Sequence, residues 1–586
     1  MGSQIAVTAL LSPTPIAQPT DAARQDALAD LTAAAAGPAR RRGERAALGG
    51  ALGTAPTYGA KKRKAAAKKK KAKKKLPVCT KKDLKTSKKK RRKCRVVPVK
   101  KLPSPTGPVA AAPVTTPGTG AWTPAPGGGG APEPTDGLRT YRGAFGKEQA
   151  TRLLFRAGFG PLPGQAEELA SIGLEGAVER LVNPGPARLE GPAPQGDFLV
   201  GGDFAPGDRW GHGHLEWLDR CARSTDQLGE RMTLVLHDWL AISASAVGGT
   251  DMFSYVNLLR GGWRGSFRQL MLDLTVHPAM LQWLNGLGSD KWSPNENYAR
   301  EIQELFCLGA DRGAYTEADV REFARAFTGW DADWSDAEGL HNYRFVTDRW
   351  DGGEKVLYAG KPYERRGRFN WRDAVNVVVD HPLHPSYVAM RLWAAFIPTA
   401  PSALTVSQLE QLYRSSGERL EPLVKAILLH PDLYEGPSMT KSPVTYLGGL
   451  LRARRKGIDT DAWTWIADGC GQQLWYPPNV SGWNERAWLN TTTFEARWNG
   501  TSQLVWADEI PEDHYDDRPE TPEQAVDAAL AFWGDPVISS AHRGALLQHA
   551  RQAATAFYWN DDPLTRTMRQ YTLRQLVAAA PDHQVS

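Results

Sequence analysis

The stretch KWSPNENYAREIQELFCLGA, residues 291–310, sets Glu301 and Glu304 three residues apart, with Asn297 and Arg300 within one helical turn. On a helix this spacing brings Asn297, Glu301 and Glu304 onto adjoining surface. Two carboxylates beside an amide and a guanidinium can do acid–base chemistry or hold a divalent ion, and they serve equally as an ion-paired, solvated face. Ser293, Pro294 and Glu296 have the order of a capping box with proline at the first helical position, which predicts a helix over 294–308. Ile302, Leu305 and Phe306 fall on its other side and are expected in the core.

Other polar groups interrupt apolar runs. His237 and Asp238 stand in ERMTLVLHDWLAISAS, where a lone histidine is expected as a core residue and is retained as a catalytic candidate. WYPPNVSGW, residues 475–483, reads as a Pro/Gly/Trp loop whose Asn479 and Ser481 bond to backbone. Three segments repeat an apolar helix that ends in histidine before a proline: His277-Pro278, His381-Pro382 and His430-Pro431. The helix dipole favours histidine at such an end, and proline opens the next segment. His381 and His384 are close enough in sequence to suggest a metal pair, but no metal or cofactor is assigned. No C-x-x-C, G-x-S-x-G, H-E-x-x-H or Walker-type glycine loop occurs, so the usual hydrolase, zinc-ribbon and nucleotide-binding signatures have no support.

The elements that must position these residues are helices. From about residue 147 onward, apolar residues recur at three- and four-residue spacing with helix punctuation between segments. NYRFVTDRW and KVLYAG, between 342 and 360, alternate as strands and predict one small β-hairpin. The expected class is mostly α: a large multi-helix body over residues 138–586. Cys221, Cys307 and Cys470 read as small core residues.

Charge separates this body from what precedes it. Residues 61–101 hold 23 lysines and arginines against one acid, Asp83, a local net of +22. The whole chain carries +8, so the remainder is acidic at −14. A run of such density repels itself and is expected to form a disordered arm unless an anionic polymer or envelope surface neutralises it. It contains no aromatic residue, so base stacking and sequence-specific nucleic-acid binding are not expected. Cys79 and Cys94 within the arm can pair only in an oxidising compartment. Residues 102–137 form a Pro/Gly/Thr-rich linker, and residues 1–60 a disordered leader. Within the leader, Arg40, Arg41 and Arg42, an Ala/Leu/Gly stretch and Tyr58-Gly59-Ala60 have the order of a twin-arginine export signal at 39–60, which implies an extracytoplasmic destination. No run of 18 apolar residues predicts a transmembrane helix. The sequence fixes no oligomeric state.

Four blocks in order, RLLFRAGFGPLPGQAEELASIGLEGAVERLVNP, PNENYAREIQELFCLGADRGAYTEADVREFARAFTGW, RLWAAFIP and GQQLWYPPNVSGWNERAWLNTTTFEARW, resemble the domain of unknown function 1800 family over about residues 148–500. The resemblance implies export and supplies no activity. It points to Asn295, Glu296, Asn297, Arg300 and Glu301 as the family's polar block, and to Asp351 and Lys355 in a later hairpin. There Trp350 stands where the family has histidine, and His237 matches only part of a Trp-His pair. Two readings follow: an envelope-associated scaffold or binding protein held by the basic arm, or an envelope hydrolase or other metal-assisted enzyme using the Glu301/Glu304 face with His237 and Asp351.

Overall fold

The three His-Pro steps set much of the punctuation of the body. In the computed structural model, which describes residues 134–191, 213–336, 338–508, 510, 520–556 and 563–586, His277 and His430 cap the helices that follow them, and His381 closes the turn that leads into the helix at His384. The Nδ1 atoms of His277, His381 and His430 accept the backbone N–H two residues on, from Ala279 at 3.2 Å, Leu383 at 3.1 Å and Asp432 at 3.2 Å. An accepting Nδ1 carries no proton, so these rings are neutral acceptors and not the cationic helix ends expected from the dipole. Their other nitrogens are also engaged, with Ser254, the Ala314 carbonyl and the Gly137 carbonyl respectively.

All described residues fall in one of two units into which the chain divides. The leader, the basic arm with Cys79 and Cys94, and the linker up to residue 133 lie outside the described residues. The fold is mostly α, as expected: twenty-two α-helices among the described residues, with two small two-stranded sheets. Seven helices position the chemistry and are numbered here in chain order: α1 Lys147–Arg156, α2 Gln227–Trp239, α3 Asn297–Glu301, α4 Glu317–Ala326, α5 His384–Phe396, α6 Pro443–Ala453 and α7 Thr491–Ala507. None of the described helices is long and apolar enough to cross a membrane.

The strand segments form, but not with each other. β1 Trp330–Ser335 pairs antiparallel with β2 Gly339–Phe345, and β3 Lys355–Leu357 pairs with β4 Arg365–Gly367. Each strand takes its nearest neighbour in sequence, which is the shorter loop closure. One expected hairpin is therefore two. The core is continuous across the helices and rich in indole: Trp217, Trp239, Trp263, Trp393 and Trp463 are buried. Cys221, Cys307 and Cys470 are free thiols buried among them.

Candidate functional site

The helix carrying Glu301 and Glu304 starts later than its sequence suggests and changes type midway. Ser293 does not cap it. Asp290 Oδ1 instead accepts the N–H groups of Trp292 and Ser293, at 3.0 and 2.9 Å, and Asn295 Oδ1 accepts that of Asn297 at 2.9 Å. These two turns use the residues that the capping box needed, so α3 begins at Asn297. After Glu301 the chain runs as a π-helix, Ile302–Cys307. There the N–H groups of Leu308 and Gly309 both go to the Gln303 carbonyl, at 2.9 and 3.2 Å. The Leu305 carbonyl has lost its helical donor and receives Trp239 Nε1 from α2 at 3.1 Å and the Tyr387 hydroxyl from α5 at 2.5 Å. The Cys307 carbonyl likewise receives His384 Nδ1 at 2.9 Å, and His384 Nε2 accepts from Tyr413. The His381–His384 pair therefore spends its nitrogens on backbone and hydroxyl groups. Isolated π-turns are frequent at functional sites, and this one is welded to α2 and α5 by side chains.

Its polar face is half-buried. Arg300 turns away from Glu304 to Glu317, at 2.6 and 2.8 Å, and to Glu296 at 3.3 Å. Exposed Asn297 donates to Asn285. Glu304 accepts the Tyr315 hydroxyl at 3.0 Å, while Glu301 has no hydrogen-bond or ion-pair partner among the described residues. Burial, reinforced by the Glu304 charge and opposed by Arg300, pushes the Glu301 carboxyl up to about 7. Ile302 and Phe306 are buried as expected; Leu305 is only partly so.

The remaining candidates are not gathered there. Asp351 pairs with Arg325 of α4 at 2.7 Å and accepts the Gly353 N–H at 2.8 Å. Buried Lys355 donates to the carbonyls of Asp351, at 2.5 Å, and Gly353, at 3.0 Å, and burial brings its amine down to about 8. Trp350 lies under that amine at 5.2 Å. Together these contacts tie a loop onto α4. His237 is fully buried, with ring centroids of Trp217 and Trp483 at 5.3 Å and Tyr255 at 5.6 Å. Neither of its nitrogens has a hydrogen-bond partner among the described residues, and burial holds it down to about 3. Among the described residues, no group of three or more His, Cys, Asp or Glu is arranged to hold a metal ion.

Sequence reasoning missed a cleft of about 190 Å³ beside this face, walled by α2, α5 and the tryptophan loop. Arg231 and Asp238 come from α2, Arg391 from α5, and Glu485 from the loop's end. The loop is shaped by an Asn479 turn, whose Oδ1 accepts the Ser481 N–H at 2.8 Å, and by Gly482 at φ +83°. A Cβ on Gly482 would collide with Asp238, whose Oδ1 accepts the next N–H, that of Trp483, at 2.8 Å. Burial pushes the Asp238 carboxyl up against the pull of Arg391 and Arg231. Glu485 is exposed at the mouth, yet the surrounding protein and then the Asp238 charge push it up as well. Arg231 is committed to Thr445 and the Ala395 carbonyl, with Nε left unbonded. Half-buried Arg391 stacks on Trp239 at 5.5 Å and makes no hydrogen bond or ion pair among the described residues. Trp239, which lines the cleft, is the same indole that donates to the Leu305 carbonyl beside Glu304.

The model of a family described as protein of unknown function (DUF1800) matches residues 152–585. No curated protein and no solved structure matches the chain.

Proposed function

Because the chain belongs to the DUF1800 family, whose description assigns no chemistry, we propose on the cleft geometry that it is a binding protein for a small acidic polar ligand. The observation that carries this reading is Arg391: a guanidinium that makes no hydrogen bond or ion pair among the described residues, lining a cleft beside two carboxyls pushed above their ordinary range. An acidic group on the ligand pairs with Arg391, and hydroxyl or amine donors meet Asp238 and Glu485. The basic arm holds the protein to anionic polymer or an envelope surface after export, and the body is extracytoplasmic. Calorimetric titration of full-length protein with glucuronate, an acid with several hydroxyls, tests the cleft. Arg391→Ala should weaken binding by at least about tenfold, the scale of one charge-assisted contact; unchanged affinity sinks the assignment.

A second reading is favoured by the unpartnered Glu301. Its carboxyl titrates near neutrality beside Glu304, which Tyr315 holds, and such a pair suits general acid–base hydrolysis. Glu301→Gln and Glu304→Gln separate the two: loss of a turnover without loss of glucuronate binding supports an enzyme, and loss of neither leaves the face structural.

A further inference from the structure

A second cavity, of about 430 Å³, opens between α1, the Trp533–Ser539 segment and the short helix Pro581–Gln584. Lys441 lines it and is 4 % exposed. Its backbone is fixed from both sides: the N–H donates to the Gln584 carbonyl at 2.9 Å, and its carbonyl accepts Arg497 of α7 at 2.8 Å. The next residue, Ser442, caps α6. The amine rests 3.5 Å over the Phe155 ring and donates to one carbonyl, that of His583, at 2.9 Å.

Among the described residues, no side-chain carboxylate forms an ion pair with it. Glu167 is paired with Lys147, Asp582 with His542, and Glu148 is exposed. The neighbours on the other sides are Arg497 and the buried His583 ring, whose own protonation is disfavoured by burial. Burial and then the Arg497 charge bring the Lys441 amine down to about 7. A large share of it therefore holds a free lone pair at neutral pH, the state a nucleophilic lysine requires. Arg152, also in the lining, gives one N–H of each terminal nitrogen to the carbonyls of Tyr434 and Gly436, which leaves further N–H donors, and it forms no ion pair among the described residues.

We propose that this cavity takes a small aldehyde or ketone bearing an acidic group, and that the Lys441 amine condenses with its carbonyl. The nitrogen lone pair forms the C–N bond as the carbonyl π pair moves to oxygen. A proton passes from nitrogen to that oxygen, and loss of water leaves the imine. The ligand's acidic group faces Arg152. This site is separate from the Arg391 cleft and does not rest on it.

The probe is glyoxylate with sodium cyanoborohydride, whose hydride reduces the imine to a stable secondary amine. Full-length protein is labelled at neutral pH, digested and mapped residue by residue. Lys441 should carry the adduct at least about tenfold above any lysine of the 61–101 arm, because an unperturbed lysine titrates at about 10.4. Labelling should fall about fivefold from pH 7 to pH 6, following the free-amine fraction of a group titrating at about 7. Lys441→Arg should abolish it. Since replacing a buried lysine can unfold the chain, the map of the unaltered protein decides: an unlabelled Lys441, or labelling no higher than in the arm, overturns the proposal. Equal labelling by propanal overturns the acidic-group assignment.

Discussion

Glu301 keeps its proton to about pH 7 because α3 withdraws it from water beside Glu304 while Arg300 is drawn off to Glu317. An unfolded glutamate releases its proton near 4.5. Between these values the folded chain binds the extra proton, so stability falls as pH rises through that window. Glu301→Gln should therefore match wild type in stability at pH 4 and exceed it at pH 8, by no more than about 1 kcal/mol because the side chain is partly solvated. Scanning calorimetry at the two pH values checks this; a lower Tm at pH 8 would mean that the charged form is held by a partner. His237 runs the other way. Its folded value of about 3 lies below the ordinary 6.5, so its contribution is lost as pH drops from 6.5 towards 3. Since neither nitrogen is bonded, His237→Leu should leave neutral-pH stability unchanged or higher and flatten the acid limb. A loss above about 2 kcal/mol would show those nitrogens to be engaged. Glu301 and Glu304 were legible as a polar pair from spacing alone. That Arg300 serves Glu317 was not, because the partner arrives on a different helix.

At the scale of elements, periodicity revealed a mostly helical body because buried faces repeat every three to four residues whatever their neighbours. It misplaced the start of α3, where Asp290 and Asn295 made better local turns than Ser293. It also could not see the π-helix, since one widened turn leaves the apolar pattern intact: Ile302 and Phe306 are buried in either geometry. What betrays the widened turn is its carbonyls. Tyr387→Phe should cost about 1–3 kcal/mol, from a Leu305 carbonyl left short of a donor. Chemical denaturation measures it, and a neutral result would show Trp239 to be a sufficient donor. The His-Pro steps give a parallel test. His277→Ala should cost about 1 kcal/mol and His277→Asn less, because asparagine can still accept the cap N–H.

At the scale of the molecule, composition separated the acidic body from the +22 arm without any structure, because charge density needs no partner to be read. The Arg391 cleft was invisible for the opposite reason. Arg231, Arg391 and Glu485 are each an ordinary charged residue of its own segment, and only packing of α2 against α5 and the loop brings them together. If the arm anchors the protein, binding of full-length chain to heparin should fall at least about tenfold between 50 and 200 mM salt, by counterion release. Salt-independent retention, measured by equilibrium sedimentation with the polymer, would refute electrostatic anchoring. The shared Gln303 acceptor carries a further consequence for how the interior breathes. Two amides, of Leu308 and Gly309, lean on one oxygen where a regular ladder supplies two. In deuterium uptake these two should exchange ahead of their equally sheltered neighbours, marking a soft seam through an otherwise slow-exchanging interior next to the carboxylate pair.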